Sequence, residues 1–522
     1  MLPQFTQYIA LILVIVLLVL LARKLKVAYP IVLVLGGLVL SLIPGIPNIS
    51  IKPEMIFIIF LPPLLYEAAW YTSWKELWRW RRIIGSFAFL IVIVTSIVVA
   101  MVASSVIPGF SLALGFLLGG IVSPPDAVSA SAIMKYVRIP KAIGSIIEGE
   151  SLLNDASSLV IFRFALVAIE TGRFVFHEAA LSFIWVILAG IAVGLTVALL
   201  FYCLHKWLPT DANMDIVLTL TTPYVMYMAA ESIHVSGVLA VVSGGLFLSS
   251  KSHLFLSYRS RLRGANVWAA LGFVLNGLVF MLIGLELPVI VGQLDGVTLG
   301  QAIRYGLFIT ALLMLARLVC TFGASAFTVF ISRYITTADN RPGWRAPLLY
   351  GWTGMRGVVS LAAALSIPVY LGNGTAFPQR NLIIFISFVV ILVTLVVQGL
   401  TLPLLARWLK LEDRFHPLSI EKQSVMLRRR LAMESLVYLR EHHAAEIISN
   451  TALQQLEKKL EAEQLFDANA HDPVVFKEVY LKLLARQRQW LRQWNKDLTT
   501  DEELIRKYQM LMDVEEEKMR LR

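Results

Sequence analysis

The chain has 522 residues, of which 57% are hydrophobic and 16% charged, with a formal net charge of +11. The charged share is well below the roughly 25% of a soluble domain, and the apolar runs are too many and too long for one soluble core, which excludes a soluble enzyme. The location of the charge argues against a nucleic-acid partner: residues 411–522 carry nineteen Lys/Arg against twenty Asp/Glu, so the basic excess sits in the apolar part, mostly in short loops, where it orients membrane spans.

In chain order, hydropathy predicts thirteen spans, near 5–22, 29–47, 54–71, 83–106, 110–134, 142–169, 179–204, 213–231, 234–250, 266–291, 301–332, 346–370 and 381–408. The first span lacks a basic n-region and a clear cleavage site, so it is expected to remain as a membrane helix. Alternate loops are basic: Arg23, Lys24 and Lys26; Lys75, Arg79, Arg81 and Arg82; Lys135, Arg138 and Lys141; Lys206; Lys251, Arg259, Arg261 and Arg263; Arg333, Arg341 and Arg345; Arg407 and Lys410. The opposite loops hold only Lys52, Arg173, Arg304 and Arg380. This alternation predicts an outside N-terminus and a cytoplasmic C-terminus, the odd parity that thirteen spans require. Spans 1–6 and 8–13 then read as two inverted six-helix repeats, a transporter signature.

Residues 1–410 form the expected membrane domain, and 411–522 an expected cytosolic helical domain. Candidate tail helices are 418–466 and 474–520, separated at 468–473. One carries an apolar stripe at Val425, Met426, Leu427, Leu431, Met433, Leu436 and Leu439; Leu481, Leu484, Leu491 and Leu498 mark the other. Its alternating charges read mostly as a solvated face. The cysteines, Cys203 and Cys320, both read as membrane-helix residues. They suggest neither a disulfide framework nor a metal cluster, and no cofactor motif is found.

The chemistry concentrates in 119–158. SPPDAVSA (123–130) and EGESLLNDASS (148–158) place Asp126, Glu148, Glu150, Asn154 and Asp155 inside hydrophobic segments. Ionisable groups at membrane depth are costly and mark function. Pro124 and Pro125 remove two backbone donors and break span 5 before Asp126; such backbone survives in a membrane only inside protein or beside a cavity. In span 12, Gly351, Gly354 and Gly357 surround Arg356 and loosen that helix too. At about 1.5 Å per residue, Asp126, Asp155 and Arg356 fall in or near the middle third of the membrane.

Asp155 is the sharpest candidate, because a carboxylate binds a small hard cation or a proton but not both tightly. Ser151, one turn earlier, faces the same ion, and Asn154 adds a neutral amide dipole. Asp126 either binds the ion directly or holds the broken backbone by accepting amide hydrogen bonds. Glu150, five residues before Asp155, points about 140° away. It is paired here with Arg356, which is always charged and needs an anion. Glu67 reaches Arg356 or lines a cytosolic funnel, and Glu148 is a further funnel charge. Arg163 and Arg317 read as helix ties, Glu286 as an outer-end residue that snorkels, and His234 as a packing histidine rather than a pH sensor.

FLPPLLYEAAW, SPPDAVSA, EGESLLNDASS, HVSGVLAVVSGG, the GMRG stretch and VVQGLTLP, in this order over about 5–410, resemble the bacterial branch of monovalent cation:proton antiporter family 1, the sodium/proton exchangers. The resemblance implies an all-α polytopic fold of thirteen helices, crossed discontinuous helices 5 and 12, and a dimer domain beside a moving core. It implies that Asp155 is the ion- and proton-binding aspartate, that Asn154 marks the electroneutral branch, and that Glu150 and Arg356 form a bridge. It also implies that Ser151 and Glu67 lie around the transported Na⁺, and that Asp126 is the aspartate of the broken helix. The chain departs from the family in having Pro125 before Asp126, where threonine is usual, and Ala127 after it; a side-chain hydroxyl is thereby lost. The expected activity is electroneutral exchange of one Na⁺ (or Li⁺) for one H⁺ by a homodimer in the lipid of the bacterial inner membrane. K⁺/H⁺ exchange is the alternative within the family. A cation channel, the alternative of another class, needs a continuous pore.

Overall fold

The computed structural model describes residues 2–43, 53–134, 137, 139–172, 176–292, 294, 297–334, 343–372, 374–411, 420–464, 473–494 and 502–521. Lys52, Lys135, Arg138, Arg173 and Arg341 of the expected loops lie outside them. The chain divides into two compact units, Met1–Asp413 and Arg414–Arg522. The described residues are helical and form no strand; one isolated bridge joins Tyr370 and Ala376.

The first unit runs through α1 (Leu2–Leu25), α2 (Tyr29–Ser41), α3 (Pro53–Tyr71), α4 (Trp74–Gly85), a π-helical turn at Ser86–Ile91 and α5 (Val92–Val106). It continues as α6 (Leu112–Val122), α7 (Ala127–Met134), α8 (Lys141–Thr171), α9 (Phe176–Trp207), α10 (Ala212–Ser232) and α11 (Gly237–Phe255). It ends with α12 (Tyr258–Leu285), α13 (Leu287–Gly292), α14 (Leu299–Ile331), α15 (Arg345–Trp352), α16 (Val358–Leu365) and α17 (Arg380–Leu409). Among the described residues, seven helical stretches are long and apolar enough to cross a membrane, starting with Trp74–Val106 and ending with Arg380–Leu409. Spans 5 and 12 are absent from these seven for a physical reason. Each is divided into half-helices, of 11 and 8 residues for α6 and α7, and of 8 each for α15 and α16; about 20 are needed to cross the hydrocarbon.

Local chemistry sets the boundaries. Ser111, Ser236 and Ser257 cap α6, α11 and α12 by accepting backbone N–H bonds, and Asp211 caps α10. Thr298 and Gln301 form a capping box on α14. The basic stretch after Ser73, expected as a loop, is helical: Ser73 caps α4, which runs through the π turn into α5. His234 is exposed in the turn between α10 and α11 at φ 60°, so it is a turn residue and not a packing histidine. Gly115 and Gly119 let α6 settle on α5, since a Cβ on either would meet backbone of Ala100 or Ser96.

In the second unit the first expected tail helix divides into α18 (Ile420–His442), α19 (Ala444–Ser449) and α20 (Thr451–Gln464). Asn450 makes the second division, its Oδ1 accepting from Ala452 and Leu453 N–H. Ala432 and Leu436 are the buried positions of α18, while Met426, Leu427, Leu431 and Met433 of the expected stripe are exposed. The other expected helix divides into α21 (Pro473–Trp494) and α22 (Glu502–Leu521). Of the expected break at 468–473, only Pro473 is described, as the first residue of α21. Arg488 joins α21 to α22 through Asp513 at 2.7 Å and Glu516 at 2.6 Å.

Candidate functional site

The two interrupted helices meet at their breaks. The Asp126 N–H donates to the Met355 carbonyl at 2.7 Å, so unwound residues 123–126 and 353–357 hydrogen-bond to each other. The approach is tight: a Cβ at Gly357 would overlap the Asp126 carboxylate. That carboxylate accepts from Ser129 Oγ at 2.8 Å and Ser129 N–H at 3.3 Å, which caps α7. Of the two expected roles for Asp126, the backbone-holding one is thus present in the geometry.

α8 flanks the crossing. Asn154 is fully buried, and its Nδ2 donates to the Pro125 carbonyl at 2.9 Å. Asp155, next in sequence, is 7% exposed and near enough to Asp126 to feel its charge. Ser151 lies half-buried one turn earlier. Ser157 and Ser158 secure the helix by donating to Ala88 O at 2.6 Å and Gly120 O at 2.5 Å. Ala88 lies in the π turn, and such turns recur at functional sites. Glu67 of α3 is half-buried against α12, where a Cβ at Gly272 would strike its carboxylate. Tyr29, at the start of α2, lies within electrostatic reach of both Asp126 and Glu67. Sequence reading missed Tyr29 because nothing around it marks it. Glu148 is exposed on α8.

The expected Glu150–Arg356 bridge is not formed. Glu150, 1% exposed, is held by Arg317 of α14 through two parallel bonds, Nη1 to Oε1 and Nη2 to Oε2, each 2.8 Å. This is the bidentate arrangement that guanidinium and carboxylate favour. Arg356, fully buried, serves backbone instead. Its Nε donates to Val122 O at 2.7 Å, Nη2 to Ser123 O at 3.2 Å, and Nη1 to Gly354 O. The reason lies in the break: α6 ends at Val122, and the Asp126 N–H that would serve the Val122 carbonyl in a continuous helix is turned to Met355 O. A cation at a helix C-terminus also meets the negative end of its dipole. The Arg356 N–H is held by Thr394 Oγ1 of α17 at 3.2 Å. Arg163 ties α8 to Glu231 of α10 at 2.5 Å, both partly exposed.

The arrangement therefore gathers Asp126, Asn154 and Asp155 at a crossing of unwound backbone. Tyr29 lies near this group and near Glu67, and Glu150 is held by Arg317. A buried carboxylate there can hold a small cation or a proton, with polarised backbone groups beside it.

Comparison with known proteins adds the family. Residues 10–408 match the family described as sodium/hydrogen exchanger, transmembrane. The chain is similar to a sodium, potassium, lithium and rubidium/H⁺ antiporter of Bacillus pumilus, 36% identical over 423 residues, covering 79% of this chain and 62% of the relative. The chain thus spans less than two thirds of that relative's length. It is also similar to an uncharacterised Na⁺/H⁺ exchanger of Mycobacterium tuberculosis, 31% identical over 513 residues, 95% of this chain and 92% of the relative. Among solved structures, the sodium proton antiporter of Methanocaldococcus jannaschii matches with a TM-score of 0.60 at 18% identity, covering 78% of this chain and 98% of that one, and so shares the fold. The all-helical unit with its apolar spans and the match over 10–408 place this chain in the sodium/hydrogen exchanger family.

Proposed function

We propose that this protein is a monovalent cation/proton antiporter that exchanges one Na⁺ (or Li⁺) for one H⁺ by alternating access. The observation that carries the reading is Asp155, 7% exposed, beside an interrupted-helix crossing whose Pro125 carbonyl its neighbour Asn154 holds at 2.9 Å. Asp155 binds Na⁺ and H⁺ in turn, with Ser151 and Glu67 as further cation ligands. Asn154 contributes neutral polarity and Asp126 organises the crossing. Glu150 keeps its charge against Arg317, and Arg356 caps α6. With half-helices α6/α7 and α15/α16 counted as single spans, thirteen spans in two inverted repeats account for the chain. The C-terminus then lies in the cytoplasm, and the protein forms a homodimer in the inner-membrane lipid with Arg414–Arg522 as a regulatory unit.

K⁺/H⁺ exchange is the second reading. It is favoured by the ion range in the name of the Bacillus pumilus relative and by Pro125 standing where the family has threonine. In proteoliposomes, an imposed pH gradient is expected to drive Na⁺ uptake that Asp155→Asn abolishes without loss of fold. Flux of K⁺ or Rb⁺ at comparable rate would select the second reading. Cation flux that proceeds without counter-movement of protons would mean a channel.

A further inference from the structure

Arg163 and Glu231 join helices that belong to two separately bonded sets. α8 is bonded to the crossing and its neighbours: Glu150 to Arg317 of α14, Asn154 to Pro125 O, Ser157 to Ala88 O and Ser158 to Gly120 O. α10 is bonded to α3 and α12. Tyr224 OH donates to Ile59 O at 3.1 Å, Trp268 Nε1 to Thr219 Oγ1 at 3.2 Å and Ser260 Oγ to Asp215 Oδ2 at 2.6 Å. The proposed cation ligands divide in the same way, Asp155 and Ser151 on α8 and Glu67 on α3. A cation held between them can leave only where the seam between α8 and the α3–α10 set opens.

Leu152, Ala156, Leu159 and Arg163 recur at i, i+4, i+7 and i+11, so they form one stripe of α8. The first three pack into the apolar cluster that includes Tyr227 and Ala230 of α10 and Val235 and Val238 after it. Arg163 ends the stripe, eight residues and about 12 Å beyond Asp155, on the outer side in the topology proposed above. Its Nη2 donates to Glu231 Oε2 at 2.5 Å, while Glu231 Oε1 accepts the Gly237 N–H at 3.3 Å. The carboxylate is thus held on the turn between α10 and α11, whatever Arg163 does. Apolar contact and then an ion pair close the seam outward of Asp155. The two side chains are 44% and 31% exposed, so water reaches the pair, and such a pair adds little to folding. We propose that Arg163 and Glu231 are the latch of the outer mouth: the pair holds while the site faces the cytoplasm and parts each time the site opens outward. The inference rests on the alternating-access reading above and assigns to it two residues outside the ion's own ligands.

The test joins the two positions covalently. Arg163→Cys and Glu231→Cys are combined in the full chain with Cys203 and Cys320 replaced, and a short bis-methanethiosulfonate reagent links them through reducible disulfides. Na⁺-driven proton flux in proteoliposomes is expected to fall at least tenfold on linking and to return on reduction of the same sample. Each single-cysteine chain should lose less than twofold with the reagent. A linked chain that exchanges within twofold of its reduced form would overturn the proposal, because α8 and α10 would then not part. Failure of the folded double variant to link would overturn it too, because the contact would not be made. The bias is read separately with Arg163→Gln in right-side-out vesicles. Loss of the pair makes the outward-facing state more populated, so half-saturation by outside Na⁺ should fall about threefold with melting unchanged. Exchanging the two charges, Arg163→Glu with Glu231→Arg, should restore it. Parent-like half-saturation in Arg163→Gln would mean that the pair holds nothing shut, and the latch would be refuted. The parent chain is the control on the underlying reading. If it shows no cation-coupled proton flux, antiport itself fails, a result distinct from any variant's.

Discussion

Glu150 and Asp155 sit five positions apart on one helix, both buried, and only Glu150 has an arginine in contact with it. The difference separates a carboxylate held by a bidentate partner from one with no arginine against it. Glu150 takes both arms of Arg317, 1% and 2% exposed as side chains, a buried bidentate pair. Removing Arg317 leaves that charge buried alone, and breaking such a pair costs about 3–5 kcal/mol. Arg317→Met is therefore expected to fold poorly, and Glu150→Gln with Arg317→Met to recover most of the loss. Yield and melting temperature measure both, and a double variant no better than the single would refute the pairing. Glu150→Gln with Arg356→Met gives no such recovery, because Arg356 is holding Val122 and Ser123 carbonyls. The sequence makes each of these residues conspicuous, since an ionisable group in an apolar run is a local exception. It does not say which arginine meets Glu150. That depends on helix azimuth and on how α14 lies against α8, neither of which is written locally. Thr394 is less visible still, a polar residue of ordinary type whose meaning comes from the Arg356 N–H it accepts.

At the scale of elements, the broken helices were legible and their consequences only partly so. Pro124-Pro125 and the run of glycines around Arg356 announce two interruptions from residue chemistry alone. Their mutual hydrogen bond, Asp126 N–H to Met355 O, joins positions 229 residues apart and has no sequence signature. The same interruptions divide spans 5 and 12 into half-helices too short to cross, so neither is among the seven stretches that length and hydropathy recover from the described residues. Helix α4 failed in the opposite direction. Its arginines suggested a loop, but Ser73 caps it and Trp80 packs inward, 1% exposed, with its Nε1 on Glu76 at 3.0 Å. The close approach of the two unwound stretches is testable at Gly357. A Cβ there falls on the Asp126 carboxylate and must push the stretches apart, a strain of about 1–3 kcal/mol. Gly357→Ala is expected to lower the melting temperature by several degrees and the exchange rate at least tenfold. A variant with parent-like melting and flux would show that the crossing tolerates separation.

For the whole molecule, orientation and charge balance are the remaining questions. The basic stretches predict that Lys251, in the last turns of α11, faces the cytoplasm and Thr375 the outside, and both are exposed; Ser260, in the first turn of α12, would be a poor probe, being buried with its Oγ on Asp215 at 2.6 Å. Single cysteines at the two exposed positions, with Cys203 and Cys320 replaced, should react with an impermeant thiol reagent on intact cells only at 375. Labelling at 251 would invert or scramble the topology. The charge moved per cycle follows from the site. Asn154 is neutral, with its Nδ2 on the Pro125 carbonyl, Glu150 is paired with Arg317, and Asp126 caps α7. Under the proposed exchange, with Glu67 keeping its charge as a cation ligand, Asp155 is the carboxylate that changes occupant, and swapping one Na⁺ for one H⁺ on it would carry no net charge. Competition follows from sharing: acid should raise the apparent KM for Na⁺, and high Na⁺ should move the pH optimum downward. The measurement that decides is the reversal condition in proteoliposomes under imposed Na⁺, pH and voltage differences. Exchange should reverse where the Na⁺ and H⁺ gradients are equal, at every voltage. A reversal point that shifts with voltage would require a second proton carrier, and Asp126, Glu148 and Glu150 would have to be neutralised one at a time to find it.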